Sequence, residues 1–344
     1  MNFKLVFPAF GLLSVFATGA AFSAPLQPIP KESGFGGFIT LGASATQFSS
    51  NTVSGTDMGD VAQENIDSLD EGPDSESDVS GFFTGELTYT FAESRTQLFF
   101  GNSLEDLVRY DFTFQAGARQ ELAGNGIVYG AFLFSAIPTS VYADPYQTGV
   151  DRDETDRNSN GGRIGWQGIG GSNFGVELSH RTIELDDEES GQAFVDGGGL
   201  TTDEQDLLNR EGSQTNVKLS YIHTLSPGNL LVPAIQYVNF DLDGEAMAGD
   251  RVGGELAYIR NTQQYSLIVT MSYSHRNHDE ENPIWSEEEE VDNFGGSIVG
   301  TYHAPFGWKG WSAVASVAAG ESDSDINFYD ADIITGSVGM LYRF

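Results

Sequence analysis

Serine, histidine and carboxylate residues are all present, so nucleophilic hydrolysis is the first chemistry to consider. Ser159 is a candidate nucleophile, which would need a histidine beside it as general base. The five histidines have no helical i, i+4 pair, and they fall on different predicted strands and loops. They are His180, His223, His275, His278 and His303. This spacing predicts neither a catalytic pair nor a transition-metal site.

Clusters of carboxylates at 151–156, 287–290 and 322–325 offer the oxygen ligands that Ca²⁺ and Mg²⁺ prefer. None of them has the pattern of a calcium-binding EF-hand loop with its central glycine. The sequence therefore predicts no cofactor and no dedicated metal site. It leaves open weak binding of calcium or magnesium by acidic loops.

Basic residues inside apolar, alternating segments suggest a different chemistry, the selection of anions in a pore. Taking the apolar side chains as lipid-facing, the opposite face receives eight basic residues: Arg95, Arg109, Arg119, Arg163, Arg181, Lys218, Arg251 and Arg343. The same face receives four acidic ones: Glu86, Asp111, Glu177 and Glu255. Basic rings favour anions in a pore, whereas internal ion pairs would only brace its wall.

These positions have chemical meaning only if the segments that carry them form one wall. From Tyr265 to Tyr273 apolar side chains alternate with polar ones, as a strand with one apolar face requires. We count fourteen such segments, from 35–48 to 333–344, with twelve and sixteen as bounds. Short turns alternate with mostly longer connections, so the sequence predicts an all-β fold, a transmembrane antiparallel up-and-down β-barrel.

The acidic residues are sorted between the two ends of this predicted barrel. The 344 residues include 16 Lys and Arg against 50 Asp and Glu, giving a net charge of −34, which excludes a nucleic-acid partner. All but seven carboxylates lie in or beside the longer connections; the seven are Glu32, Glu86, Glu93, Asp111, Glu121, Glu177 and Glu255. A barrel with long charged outer loops explains this sorting. The chain has no cysteine, which excludes disulfides and thiolate sites.

The N-terminus has the pattern of an export signal. Residues 1–4 supply a positive start, 5–17 an apolar stretch, and 21–23 a cleavage motif of small residues. We predict a cleaved signal peptide at 1–23, a periplasmic leader at 24–34 and the barrel at 35–344.

Two segments resemble known exported proteins. The end of the chain, 337–344, with Gly339, Tyr342 and terminal Phe344, resembles the assembly signal of bacterial outer-membrane barrels. That resemblance implies barrel-assembly machinery as a partner and the Gram-negative outer membrane as the location, with membrane lipid and lipopolysaccharide around the wall. The stretch 25–39 resembles the mature start of a Gram-negative family of unknown function.

A third segment, 157–163, resembles the catalytic strand of outer-membrane phospholipase, which reads His-x-Ser-Asn-Gly. Here Arg157 stands in the place of the histidine, so Ser159 lacks its general base. We therefore expect no enzymatic activity from this strand.

Together these patterns predict a porin-like channel for passive diffusion of small hydrophilic solutes, with anions as a candidate class. A structural or surface-display barrel without conductance and a transporter of apolar solutes are the alternatives, and a hydrolase ranks last. The segments 49–78 and 184–213 are long enough to fold inward over the bore, and the second contains apolar residues such as Phe194, Leu200 and Leu208.

Overall fold

A computed structural model describes residues 28–56, 59–60, 63–102, 113–135 and 138–344. The predicted signal peptide lies outside the described residues, as do Arg109 and Asp111. Among the residues described, no helix is long and apolar enough to cross a membrane.

Fourteen antiparallel strands form a closed barrel, as the sequence predicts. The strands are β1 (Gly34–Ser49), β2 (Ser75–Phe91), β3 (Thr96–Gly101), β4 (Thr113–Leu122), β5 (Gly126–Ser135), β6 (Glu154–Gln167), β7 (Phe174–Leu185), β8 (Gly212–Tyr221, continued by His223–Ser226), β9 (Asn229–Leu242), β10 (Gly249–Asn261), β11 (Tyr265–Asn282), β12 (Glu287–His303), β13 (Trp311–Ser324) and β14 (Ala331–Arg343). Each strand pairs with its neighbour in the chain. β1 and β14 pair from Phe38 with Arg343 to Ser49 with Asp332, which closes the wall.

Alternation along each strand separates an apolar outer face from a mostly polar inner face. On β10 the outward-facing Val252 and Leu256 are exposed. Arg251, Gly253 and Glu255, on the opposite face of the strand, are buried. Exposed apolar patches of this extent are rare on soluble proteins. Such an outer surface is therefore expected to contact hydrocarbon rather than water. The wall is therefore suited to a membrane.

Outward aromatic residues mark the two edges of the apolar band. At the edge with short turns, Tyr265 and Tyr302 are partners across β11 and β12. Near the opposite edge the hydroxyls of Tyr237 and Tyr273 donate to Asp250 and Asp292. Tyr265 and Tyr273 are eight residues apart on β11; at ~3.3 Å per residue and ~40° tilt this spans about 20 Å, close to an outer-membrane band.

The longer connections pack together over the mouth of the barrel. They contain short strands at Val53–Thr56, Gly59–Asp60 and Thr139–Tyr142, and the helices α1 (Gln192–Gly197) and α2 (Thr202–Asp206). Their apolar side chains form one cluster, here named the loop cap: Ile66, Tyr146, Leu200, Leu208, Ala246, Met247, Ile326 and Phe328, with Leu69, Phe194, Val195, Leu207, Leu242, Ile284, Trp285 and Tyr329 packed against it. The loops therefore share a small hydrophobic core outside the barrel wall.

The inner face near the short turns is apolar on one side of the barrel. The residues concerned, here named the lower apolar layer, are Phe38, Val232, Ala257, Ile259, Ile268, Val299, Val314 and Leu341. Ile268 packs against both halves of this layer. Beside it the Phe82 ring lies over Gly42, where an added Cβ would overlap the ring. This part of the bore is lined by apolar side chains.

Candidate functional site: the inner wall beneath the loop cap

A polar belt follows the inner wall through the middle of the barrel. Arg119 and Tyr129 are cross-strand partners. Farther round, Glu177 pairs in register with Lys218 on the next strand. Because neighbouring positions in register lie at similar heights, these side chains line one section of the bore.

Three ion pairs join residues of this belt across one or more strands. Arg119 Nη2 lies 2.7 Å from Glu86 Oε2, and its guanidinium stacks over Phe99. The two pairs farther round are Arg163 with Glu177, at 3.8 Å, and Lys218 with Glu255, at 3.6 Å. Every described residue of the predicted acidic set is therefore ion-paired with a predicted basic one.

Hydrogen bonds tie the central pair to its neighbours. The Tyr129 hydroxyl donates to Glu177 at 2.6 Å, and Arg163 donates to the fully buried Gln115. Such charge-assisted bonds restrict the side chains more than isolated surface pairs do. The belt is thus a braced section of wall, as the ion-pair alternative from the sequence requires.

Closer to the loop cap, five guanidinium groups gather. Arg157 interacts electrostatically with Arg181, Arg210 and Arg276. Arg276 is the direct cross-strand partner of Arg251. We name these five residues the arginine cluster. Arg210 is paired with Glu188 at 3.0 Å, and Arg181 donates to Thr113 at 2.9 Å.

The loop cap above this cluster is held by buried polar contacts as well as apolar ones. The hydroxyls of Tyr146 and Tyr329 lie 2.7 Å apart, and the Asn282 amide donates to Tyr329 at 2.8 Å. Burial raises the pKa of both tyrosines, which keeps the hydroxyls protonated and able to donate. The contact joins the connections after β5 and β13 with the end of β11.

Two charged side chains fix the longest connections in place. The Arg152 guanidinium donates to four backbone carbonyl groups, including that of Asn51 at 2.6 Å, and stacks over Tyr142. The Asp144 carboxylate accepts from the backbone N–H groups of Gly191 and Ala193 at the start of α1. These bonds satisfy polar groups that would otherwise be buried without partners.

The placement of the predicted basic residues differs in one respect from the sequence interpretation. Arg95 lies in the turn between β2 and β3, not within a strand, and donates to Glu121 and to the carbonyl groups of Ile29 and Pro30. A positive φ of 54° ends the strand pattern there. Arg95 therefore anchors the leader at the rim, and Arg343 lies exposed at the same rim.

Sequence reasoning missed Arg157, Arg210 and Arg276 as members of the cluster. The sequence predicts that the sixth strand begins at 161 and that the eleventh strand ends at 275, because apolar alternation fades beyond these positions. In the structure β6 begins at Glu154 and β11 continues to Asn282. Extending the alternation into the polar residues would have placed Arg157 and Arg276 on the inner face. Nothing in the local sequence indicates that Arg210 approaches them.

Ser159 lies within β6 rather than in a loop. Its backbone N–H donates to Ser135 Oγ, and its carbonyl accepts from the same hydroxyl. On the neighbouring strand His180 is exposed and bonds to Thr215. Among the described residues, Ser159 forms no hydrogen bond to a histidine. The described part of the chain contains no cluster of three His, Asp or Glu that could hold a metal.

The C-terminal residues predicted as an assembly signal lie at the seam. Gly339 is the partner of Gly42 on β1, and Tyr342 stacks against Trp311 with ring centroids 4.9 Å apart. The Phe344 backbone N–H donates to the Gly37 carbonyl at 3.2 Å. These contacts give the residues a structural role, and recognition by assembly machinery stays a prediction.

The fold and its inner wall define a closed antiparallel barrel with an apolar exterior and a polar, arginine-containing interior. The chain belongs to the family described as Protein of unknown function (DUF2860), whose model matches residues 34–343. A search of curated proteins gave no match.

Several solved membrane proteins have similar structures. A FadL homologue of Pseudomonas aeruginosa has 10% identity and a TM-score of 0.47, covering 98% of each chain. The CymD monoaromatic hydrocarbon channel has 12% identity and a TM-score of 0.46, covering 100% of this chain and 99% of that one. The COG4313 outer membrane channel from Pseudomonas putida F1 has 9% identity and a TM-score of 0.42, covering 94% and 100%.

Proposed function

We propose that this protein is a channel of the Gram-negative outer membrane, through which small hydrophilic solutes diffuse passively with a preference for anions. The apolar band between two aromatic edges supports a place in the membrane. The partly exposed guanidinium groups of Arg119 and Arg163 support contact of the inner wall with water, because charged residues on an inner wall are costly unless water or partners meet them. Lipid and lipopolysaccharide are then the neighbours of the outer face.

The observation that carries the anion preference is the gathering of five guanidinium groups beneath the loop cap, among the described residues. The described acidic residues of the belt, Glu86, Glu177 and Glu255, are each ion-paired. The arginine cluster adds further positive charge between the belt and the loop cap. A bore in which positive charge exceeds negative attracts anions and repels cations.

The test is the reversal potential of purified, refolded protein in a planar bilayer under a potassium chloride gradient. The expected sign is that of chloride permeation. Because the outer end of the barrel is acidic, the measurement is repeated with Glu280→Gln/Glu281→Gln, which removes two exposed charges at the outer end of β11 and should increase the anion preference. Cation selectivity in both proteins would refute the proposal, and absence of conductance would favour a structural barrel.

A second function, transport of apolar solutes, is favoured by the lower apolar layer. A solute with an apolar body would find at the partly exposed Ile268, backed by the buried Val232 and Val314, a surface that hydrophilic solutes do not need. Replacing Ile268 by Ser separates the two functions. Uptake of an apolar probe into vesicles should fall in that variant if this route is used, whereas chloride conductance should change little.

A further inference from the structure

Arg251 and Arg276 form a buried pair of like charges on the inner wall beneath the loop cap. They are directly opposite each other on β10 and β11, a position where like charges destabilise a sheet. Arg251 is only 3% exposed, so water screens the repulsion poorly. The sequence places two cations where strand pairing alone would favour opposite charges.

Their hydrogen-bonding groups are incompletely used. Arg251 Nε and Nη2 and Arg276 Nε are buried and have no hydrogen-bond partner among the described residues. A buried charged donor without an acceptor costs more than a neutral one. Three N–H-bearing nitrogens on facing side chains therefore lack acceptors in the same part of the bore.

The surrounding groups compensate only part of this charge. Both guanidiniums lie over the Phe240 ring, with Cζ atoms 5.0 and 4.1 Å from its centroid for Arg251 and Arg276. Arg276 also donates to the Met247 carbonyl at 2.6 Å and interacts electrostatically with Glu289 and with Asp279, a residue of the same strand. For Arg251 the charged neighbour among the described residues is Arg276 itself.

We propose that Arg251 and Arg276 together form a binding site for a small oxyanion, a carboxylate or phosphate group of a passing solute. The inference deepens the proposed function, because it names the anion class for which the bore would be selective. An oxyanion between the two guanidiniums would accept from the three donor nitrogens and replace a repulsion by two attractions.

The geometry fits this ligand class better than a simple halide. A guanidinium offers a planar pair of donors that matches the oxygens of a carboxylate or phosphate, whereas chloride gains less from the paired arrangement. Arg251 and Arg276 are direct cross-strand partners, so their side chains leave the wall side by side. Phe240 holds both side chains at the wall, so that little side-chain freedom is lost on binding.

The test is binding of inorganic phosphate and of acetate to the full-length protein in detergent, against chloride at matched ionic strength. Thermal unfolding and isothermal calorimetry are the readouts. Phosphate or acetate should raise the Tm of the unmodified protein. In Arg251→Gln and in Arg276→Gln the shift should be lost and the dissociation constant should rise about tenfold or more.

The matched control is Arg260→Gln, which removes an exposed arginine on the same strand at the short-turn end. It should keep the oxyanion-induced shift. In chloride alone, Arg251→Gln should melt no lower than the unmodified protein, because it relieves the repulsion.

Equal effects of phosphate, acetate and chloride on the unmodified protein would overturn the proposal, and that comparison needs no variant to fold. An identical phosphate shift in Arg251→Gln and Arg260→Gln would also overturn it. Binding of phosphate but not acetate would assign the site to phosphorylated solutes. Binding of acetate but not phosphate would assign it to carboxylates. Binding is measured without ion flow, so a non-conducting barrel that binds oxyanions would refute the channel and leave the site standing.

Discussion

Truncating Phe328 should open the loop cap while leaving the barrel closed. The side chain is fully buried, and its ring lies 5.4 Å from Tyr146, 5.3 Å from Trp285 and 5.1 Å from Tyr329 between centroids. Phe to Ala changes in packed cores cost about 3–5 kcal/mol. The barrel strands below do not contribute most of these contacts, so the cost should fall on the packing of the loops.

If the cap opens as a unit, that cost raises the open population between roughly a hundredfold and a few thousandfold, at ~1.4 kcal/mol per factor of ten. Hydrogen exchange of the connections after β5, β7 and β13 and their limited proteolysis measure this directly. Single-channel recording should show longer or more frequent open intervals.

The control for this change is Phe306→Ala, which truncates an aromatic residue that is 89% exposed in a turn at the other end of the barrel. It should alter neither the exchange rates of the cap loops nor the recordings. The reasoning is refuted if Phe328→Ala leaves loop exchange unchanged and lowers the Tm of the barrel instead, because the cap would then not be a separate unit.

Lys218→Met should destabilise the barrel by about 3–5 kcal/mol, because it removes the cation that is ion-paired with the buried Glu255. Lys218→Met/Glu255→Gln should recover most of that loss in urea unfolding from lipid vesicles, and equal losses would contradict a coupled pair. Burial raises the pKa of Glu289, beyond the outer aromatic edge, from 4.5 to about 7. Between these two pH values the folded protein binds a proton at Glu289 that the unfolded chain does not bind. The free energy of unfolding should therefore fall as pH rises from about 4.5 through about 7, and Glu289→Gln should remove this pH dependence. Arg95→Ala should release the leader and expose the bond after Lys31 to trypsin, and unchanged cleavage would show that the two carbonyl bonds do not hold it.

The strands and their inward faces follow from the sequence because the membrane imposes one strict alternation. In β10, for example, Val252 and Leu256 have to face hydrocarbon, which directs Arg251 and Glu255 inward without any knowledge of the partner strands. The fourteen-stranded barrel is accordingly confirmed. The acidic connections were also evident, since charge cannot enter the apolar band.

The ion pairs and the arginine cluster could not be obtained in the same way. The alternation of side chains assigns a residue to a face of the wall, but it does not give the register between neighbouring strands. That register brings Glu86 to Arg119, which lies two strands away. Beyond the apolar band the alternation weakens, so the inner placement of Arg157 and Arg276 had no clear signal. The loop cap depends on contacts between distant connections, such as Tyr146 with Tyr329, which no local pattern encodes.

The pairing of β1 with β14 has a consequence for biogenesis. Every other junction in the wall joins neighbours in the chain, whereas this one joins segments separated by nearly the whole sequence. Until β1 and β14 pair, the free edges of these two strands carry N–H and C=O groups without hydrogen-bond partners, which hydrocarbon cannot solvate. A polypeptide arrested before its last strand therefore has no stable way to reside in the bilayer, and integration has to wait for the final residues to arrive.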